Sequence, residues 1–291
     1  MVMIVLEARA GLGNRMYSIA SAYYLAKNAD QKLVVLWDVD KSLGARADIL
    51  FSLPKEISIL YTTGFSLKHA PIRHLKSEKI KKSYKSAAST VLTTMSLGML
   101  LQHADGYSYL TELAKRPELL YIESYINFLP ESVNQSPCYQ IFTPSGQVMQ
   151  KASPILEQFN PDTIGLHIRR TDHMDAIQHS PLSAFRDQIE LCLKAHPTAT
   201  FFVATDDPDT EHQLLTAYPQ SVIVNPAKQF TRKSADGIID AYVDILCLSK
   251  CARIIGSYGS TFSQVASKLT NIPLEIIDTV CSSQFRKHAG S

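Results

Sequence analysis

The second half of the chain alternates short apolar segments of strand length with longer segments of helical length. This alternation predicts a parallel sheet, because parallel neighbours need a crossover connection and the crossover is usually a helix. The chain opens in the same way, with a strand at Met3–Ala8, a helix from Met16 to about Asn28 and a buried strand at Lys32–Trp37. The sequence therefore predicts a protein of the α/β class.

The length of 291 residues suits two domains of ordinary size. We predict an N-terminal domain at 1–150 and a C-terminal domain at 151–291, joined by a helix at 145–159 with Pro154 near a break. A buried helix at 90–101 and a strand at 119–124 are predicted for the first domain. The predicted strands of the second domain are 164–169, 200–205, 221–224, 253–256 and 274–277; its predicted helices are 182–195, one after Asp207, 237–249 and 262–269.

Composition excludes several classes of protein. Hydrophobic residues make up 45% and charged residues 19%, which is typical of a globular protein with a real core. A net charge of +2 argues against a nucleic-acid binder that works by bulk electrostatics. Five cysteines without zinc spacing, no signal-like N-terminus and no apolar run of about 18 residues lead us to expect a cytoplasmic protein.

Polar clusters follow three predicted strands of the second half. Arg169 and Arg170 follow the first, Asp206 and Asp207 follow the second, and a Ser/Thr/Gly turn at 257–264 follows the fourth and opens a helix. Ligands of open α/β sheets bind at the carboxyl ends of the strands. Arginine forks and the free amides of a helix start both suit phosphate, so the three clusters together predict a nucleotide-diphosphate pocket.

Each cluster also has a structural interpretation. The arginines can pair with nearby acids, while Asp207 and Thr261 can cap the helices that follow Pro208 and begin at Phe262. In the first half, Gly11 and Gly13 would let the backbone approach a ligand, although the third glycine of the dinucleotide fingerprint is absent.

Two further features of the first half each have two possible interpretations. Asp38 and Asp40 follow the second strand. Their carboxylates could bind Mg²⁺ or Mn²⁺, but we favour the interpretation as a plain polar loop. The segment 68–85 carries seven Lys/Arg residues and one acid. A solvated helical face is its favoured interpretation, and attraction to an anionic acceptor or a membrane surface is the alternative.

The ordered motifs of this chain resemble those of the α-1,6-fucosyltransferases, a family related to the α-1,2- and protein O-fucosyltransferases. The matching segments are His167-Ile-Arg-Arg-Thr-Asp172, Val203-Ala-Thr-Asp-Asp-Pro208, Asp244-Ile-Leu-Cys-Leu-Ser249 through Thr261-Phe-Ser-Gln-Val265, and Gly11-Leu-Gly-Asn14. The resemblance is strong over roughly 160–270 and thin over 5–40.

The resemblance implies a GT-B protein, with two Rossmann-like domains facing each other across a cleft. The C-terminal domain would hold GDP-fucose and the N-terminal domain a glycan acceptor. Arg169 would hold the β-phosphate and Arg170 would be a less direct partner, His167 and Asp244 would contact guanine, and Asp206 and Asp207 would support the site. Ser263 and Gln264 would lie at the phosphates or ribose, with Ser260 and Thr261 in the same helix-opening turn and Gly11, Gly13 and Asn14 as further donor-binding residues.

The catalytic base is where this chain departs from the family. The core fucosyltransferases have a lysine after Arg-Arg-Thr-Asp and a glutamate a few residues later, whereas this chain has His173 and Ile177. We predict Asp175 as the base, with His173 and His179 as alternatives. The expected reaction is an inverting displacement in which Arg169 and helix amides stabilise the leaving diphosphate, with no cofactor and no metal.

The function expected from this resemblance is transfer of fucose from GDP-fucose to a bacterial glycan precursor. One alternative is a GDP-mannose or other nucleotide-sugar transferase on the same scaffold. Another is a non-catalytic nucleotide-sugar or glycan-binding protein. We expect no nucleic-acid partner, and contact with a membrane surface only through 68–85.

Overall fold

The computed structural model describes residues 3–63, 79, 81–171 and 173–280. The chain forms two compact units, Met1–Ser145 with Thr231–Ile239 and Gly146–Phe230 with Asp240–Ser291. The segment 231–239, which we had placed in the second domain, belongs to the first unit. The backbone N–H of Gly44 donates to the carbonyl of Arg232 (2.8 Å), and a Cβ on Gly44 would come 2.4 Å from the carbonyl oxygen of Lys233. Only glycine permits that approach.

The first unit is built on a five-stranded parallel sheet in the order β4-β2-β1-β6-β5. Its strands are β1 (Met3–Ala8), β2 (Lys32–Val39), β4 (Ile57–Thr63), β5 (Thr90–Leu92) and β6 (Leu120–Ser124). The short strands β3 (Phe51–Ser52) and β7 (Thr143–Pro144) form an antiparallel pair. Buried aliphatic residues of β1 and β2 form the centre of this unit, as the predicted strand-helix-strand opening requires.

The described helices of the first unit are α1 (Leu12–Asn28), α2 (81–87), α3 (Thr94–Leu101), α4 (Gly106–Lys115) and α5 (Ser136–Tyr139). Helix α1 begins four residues before the predicted start, because Gly11 is its extended N-cap and Gly13 lies within its first turn. The predicted buried helix at 90–101 is wrong. Residues 90–92 form a strand, and in α3 only Leu97 is buried.

The second unit also has a five-stranded parallel sheet, in the order β10-β9-β8-β11-β12. Its strands are β8 (Ile164–Ile168), β9 (Phe201–Thr205), β10 (Val222–Val224), β11 (Arg253–Ser257) and β12 (Leu274–Ile277), close to the predicted bounds. The chain runs outward from β8 to β10 and then returns to β11 on the other side of β8. The carboxyl ends of β8 and β11 therefore mark the switch point where ligands bind in such sheets.

The described helices of the second unit are α6 (Gly146–Leu156, with Pro154 inside it), α7 (Met174–His179), α8 (Leu182–Ala195), α9 (Pro208–Ala217) and α11 (Thr261–Thr270), while α10 (Ala235–Leu248) begins in the first unit. The sequence did not predict α7. The predicted capping by Thr261 is wrong by one residue, since Ser260 is the N-cap of α11. Apolar side chains from β8 and β9 pack with Phe185 and Ile189 of α8 in the core.

Among the described residues, no helix combines the length and the apolar character that crossing a bilayer requires. Most of the basic segment 68–85 lies outside them. Of its described lysines, Lys79, Lys82 and Lys85 are exposed, whereas Lys81 is buried.

Candidate active site

Arg169 is held at the carboxyl end of β8 by Asp206, which follows β9. Its Nη1 lies 2.9 Å from Asp206 Oδ2, and both side chains are about four-fifths buried. The same carboxylate accepts from the backbone amides of Arg170 (2.8 Å) and Thr171 (3.3 Å) and from the hydroxyl of Thr171. Burial alone would raise the pKa of Asp206, but Arg169 and these hydrogen bonds lower it below the usual value. The guanidinium is thus fixed in position before any ligand arrives.

Ser257 ties the ends of β8 and β11 together at the switch point. Its hydroxyl accepts from the backbone amide of Arg169 (3.0 Å) and donates to the carbonyl of His167 (3.3 Å). The residue is fully buried. The backbone that carries Arg169 is therefore bound on one side to β11 and on the other side, through Asp206, to the end of β9.

His167 lies under this site as a buried neutral imidazole. Its ring stacks on Phe262, with the centroids 4.8 Å apart and the planes at 17°. Burial, helped by the charge of Arg169, lowers the pKa of His167 to about 3. Its Nδ1 is buried without a hydrogen-bond partner among the described residues. Buried polar atoms are normally paired, so this atom is available to a ligand group.

Asp244 on α10 is a second buried group with unused hydrogen-bonding capacity. Its Oδ2 lies 3.2 Å from Nζ of Lys228, while its Oδ1 is buried without a hydrogen-bond partner in the described part of the chain. Burial raises the pKa of Asp244 to about 6. Lys228 also contacts Glu211 (2.9 Å) and donates to the carbonyl of Thr205 (3.1 Å), which connects this pair to the end of β9.

The turn after β11 presents the start of α11 at the same sheet edge. Ser260 caps the helix by accepting from the amide of Phe262 (3.4 Å), and Gly259 adopts a left-handed conformation (φ 65°). Ser263 is fully buried, and a Cβ on Gly256 would come 2.6 Å from its Oγ. Ser263 therefore packs against β11, whereas the turn carries Thr261 and Gln264 in partly exposed positions. The N-terminal amides of α11 carry the positive end of the helix dipole.

The side chains of Arg170 and Asp207 both have structural roles, because each is bound to nearby groups of the protein. The Arg170 guanidinium donates to the carbonyl of Ser180 (2.5 Å), and burial lowers its pKa. Asp207 is the N-cap of α9, where it accepts from the amide (3.0 Å) and the hydroxyl (2.6 Å) of Thr210. The structure confirms the capping role that the sequence allowed for Asp207.

The three predicted base candidates lie on or beside α7, a helix rather than the expected loop. His173 is its N-cap, with Nδ1 accepting from the amide of Ala176 (3.1 Å). Asp175 is exposed in the first turn. His179 ends the helix, with Nδ1 2.9 Å from Asp278 Oδ1 and its ring stacked on Tyr258 at a centroid distance of 4.2 Å. Asp172 lies outside the described residues.

The predicted glycine-rich site belongs to the first unit. Gly11 and Gly13 form the start of α1, and Asn14 donates from Nδ2 to the carbonyl of Tyr125 (2.9 Å). Arg15 is buried and donates to the carbonyls of Ala10 and Asp38. Arg15 therefore joins the loop after β1 to the end of β2.

Asp38 and Asp40 both have partners within the fold, and Arg15 contacts both residues, through the carbonyl of Asp38 and through the carboxylate of Asp40 (3.7 Å). Asp38 pairs with Lys81, and Asp40 accepts from the amides of Ser42 (2.8 Å) and Leu43 (3.1 Å). No group of three or more His, Cys, Asp or Glu side chains within the described ranges has the arrangement to hold a metal ion. Asp40 is thus part of a turn, as the polar-loop interpretation expects.

Four residues of the site were not predicted from the sequence: Lys228, Ser257 in its bridging role, Ser180 and Asp278. Lys228 follows β10 by four residues and Asp278 follows β12 directly, so the rule that polar residues follow strands would have found both. Ser180 has no such signal, since it acts through its carbonyl toward Arg170 and its hydroxyl toward Ile277.

The chain matches no protein-family model and no curated protein. Solved structures do match it. The fucosyltransferase NodZ from Bradyrhizobium has a TM-score of 0.62 at 16% identity, covering 97% of each chain. A mutant of FUT1 from Arabidopsis thaliana in complex with GDP has a TM-score of 0.61 at 18% identity, covering 94% of this chain and 70% of that one. POFUT1 in complex with GDP-fucose has a TM-score of 0.58 at 11% identity, covering 95% and 98%.

The chain has the GT-B fold of these fucosyltransferases. The α/β class and the two Rossmann-like units predicted from the sequence are confirmed. At identities of 11–18% the likeness is one of fold, to structures that include complexes with GDP and GDP-fucose. The chemistry of this chain must therefore be argued from its own residues.

Proposed function

We propose that this chain is an inverting glycosyltransferase that moves fucose from GDP-fucose to a glycan hydroxyl without a metal ion. The observation that carries this proposal is the fixed Arg169 at the switch point of the second sheet. It lies at the position where open α/β sheets bind ligands, and Asp206 holds its guanidinium there. Structures of the same fold with GDP or GDP-fucose bound support this donor.

Recognition of guanine is assigned to the two buried groups with unused hydrogen-bonding capacity. The guanine edge carries an N1–H and an N2 amino group as donors, which a carboxylate oxygen such as Asp244 Oδ1 can accept. The Nδ1 atom of the neutral His167 imidazole can form a further hydrogen bond with the guanine base.

Stabilisation of the leaving group is assigned to Arg169 and the start of α11. As the bond between fucose C1 and the β-phosphate oxygen breaks, negative charge grows on the diphosphate. A fixed guanidinium and oriented helix amides stabilise that charge more in the transition state than in the ground state, which accelerates the reaction. The same two features can perform the part that a divalent cation plays in other transferases.

The test is GDP release from GDP-fucose, GDP-mannose and a UDP-sugar, with and without chelator, using wild type and Arg169→Ala. Slow hydrolysis reports donor use even without an acceptor. We expect the wild type to release nucleotide from GDP-fucose but not from GDP-mannose or the UDP-sugar. Chelator should leave this release unchanged, and Arg169→Ala should lower it by about 100-fold or more. If no GDP nucleotide binds or turns over, the donor assignment is wrong.

A further inference from the structure

His179 and Asp278 form a hydrogen-bonded pair at the same sheet edge as Arg169. Asp278 directly follows β12, and its Oδ1 lies 2.9 Å from Nδ1 of His179. An ionised carboxylate can only accept, so Nδ1 carries the proton of the neutral imidazole and the lone pair is on Nε2. The backbone amide of Val280 also donates to Asp278 (3.2 Å), which holds the carboxylate in place.

The imidazole is fixed from its other side by Tyr258. The two rings stack with centroids 4.2 Å apart and planes at 16°. The stack and the hydrogen bond to Asp278 together fix the orientation of the imidazole ring. Among the described residues, His179 contacts Asp278 after β12 and Tyr258 after β11. The Arg170 guanidinium binds the carbonyl of the adjacent Ser180, and Asp175 lies one turn earlier on α7.

Ser180 connects this pair to the donor site. Its carbonyl accepts from Arg170, and its hydroxyl accepts from the amide of Tyr258 (2.8 Å) and donates to the carbonyl of Ile277 (2.6 Å). The ends of β8, β11 and β12 are therefore joined through one buried residue. About a quarter of the His179 side chain is exposed, so the pair lies at the surface of this edge.

The other two candidates are less suited to accept a proton. The lone pair of His173 Nδ1 is used by the amide of Ala176, so its neutral ring has N–H at Nε2 and would have to uncap α7 to act as a base. Asp175 is exposed on the first turn of α7, and the described contacts include no group that would orient its carboxylate.

We infer that His179 is the general base of the transfer and that Asp278 is its positioning residue, an inference that rests on the proposed function. The acceptor oxygen forms a bond to fucose C1 as the bond from C1 to the β-phosphate oxygen breaks. The electron pair of that bond leaves with GDP, and the acceptor proton passes to Nε2 of His179. This arrangement supplies the base that the family places on a glutamate, where this chain has Ile177.

The experiment compares two nucleophiles on GDP-fucose, using water alone and sodium azide. Water must lose a proton as it attacks, whereas azide is already an anion and needs no base. GDP release is measured for wild type, His179→Gln, Asp278→Asn and His196→Gln, a control at an exposed histidine of the same unit. Titration of GDP-fucose against each preparation reports whether the donor site is folded.

The expected result is selective loss of the water reaction. His179→Gln should lower water-driven release by about 100-fold, and Asp278→Asn by about 10-fold, since general bases contribute about 100-fold or more. Azide-driven release and donor affinity should stay within about threefold of wild type, because neither depends on proton transfer. His196→Gln should match wild type in both reactions.

Three outcomes would overturn the inference. Equal water-driven release in His179→Gln and wild type excludes His179 as the base and leaves the proposed function intact. Equal losses with water and azide in both variants indicate a structural role for the pair. Absence of GDP-fucose binding and turnover in wild type overturns the proposed function, and the assignment of His179 with it.

Discussion

The imidazole of His167 stacks on the ring of Phe262, and the two residues join the end of β8 to the first turn of α11. The stack keeps the imidazole buried, and burial lowers the pKa of His167 to about 3. The candidate active site therefore contains a histidine that remains neutral throughout the physiological range. Protonation of this group is linked to unfolding.

Acid should destabilise the protein through His167. In the unfolded chain the imidazole has its ordinary pKa of 6.5, so between pH 6.5 and about 3 the unfolded state binds the additional proton. The stabilising contribution is complete above pH 6.5 and falls as the pH is lowered toward 3. Between pH 7 and 4.5 the loss is about 2–3 kcal/mol, at about 1.4 kcal/mol per pH unit.

Urea unfolding of wild type, His167→Gln and His196→Gln at pH 7 and 4.5 measures this contribution. His167→Gln should lose about 2–3 kcal/mol less than wild type on acidification, while His196→Gln should follow wild type. Identical pH dependence in all three proteins would show that His167 is not buried as a neutral group.

Asp244 should make nucleotide binding weaken in acid as well. Burial raises the pKa of Asp244 to about 6, so the carboxylate ionises as the pH rises through that value. Only the ionised form accepts from both guanine donors. At about one pH unit below the pKa, roughly one molecule in ten is competent, and GDP affinity should be about tenfold weaker at pH 5 than at pH 7.5.

Calorimetric titration of GDP into wild type and Asp244→Asn tests this dependence. The ionisation of GDP itself also changes with pH, but this change is the same for both proteins. Any difference between the pH dependence of GDP affinity in wild type and in Asp244→Asn is therefore due to Asp244. We expect weaker binding and a flatter pH curve in the variant. A wild-type advantage that is the same at pH 5 and 7.5 would refute the assignment.

Much of the second unit could be predicted because its strands are short apolar runs ended by polar turns. The predicted bounds of β12 and α8 agree with the structure, and Arg169 and Asp206 were found because polar residues after strands share one edge. The pairing of Lys228 with Asp244 could not be predicted in this way. Lys228 meets Asp244 only because the loop after β10 folds over α10, and no local pattern encodes that contact.

The errors in the first unit have local causes. The apolar run at 90–101 has helical length, but Thr90-Val-Leu92 pairs with β6 as a strand, and Thr93 then caps α3 through a capping box with Ser96. A β-branched start followed by a Ser/Thr cap is a signal that periodicity alone overlooks. The helix α7 is only six residues long, too short for an apolar period to reveal it.

The neighbouring carboxylates Asp206 and Asp207 should respond differently to mutation. Asp206→Asn weakens the anchoring of Arg169 and should lower GDP-fucose affinity and turnover by about tenfold, the effect of losing one charge-assisted contact. Asp207→Ala removes the cap of α9 and should cost about 1 kcal/mol of folding free energy. Donor titration and urea unfolding separate the two effects. A loss of donor affinity that is larger in Asp207→Ala would reverse these assignments.

Removal of the Lys81 ammonium should destabilise the first unit. Its Nζ lies 3.3 Å from Glu7 and pairs with Asp38, and all three side chains are largely buried. Burial would raise the pKa of Glu7, whereas Tyr121 and Lys81 lower it, so Glu7 is an ionised group inside the protein. Lys81→Met keeps the aliphatic stem but leaves two buried carboxylates without that cation, which should cost about 3 kcal/mol.

The matched control is Lys82→Met, since Lys82 is the exposed neighbour on the same helix. It should change the free energy of unfolding by less than about 0.5 kcal/mol. In Lys81→Met the pKa values of Glu7 and Asp38 should rise, so the two carboxylates take up protons in mild acid and the destabilisation should be smaller at pH 5 than at pH 8. Equal destabilisation by the two variants, or a Lys81→Met penalty that does not change with pH, would show that the buried charges are compensated by other groups.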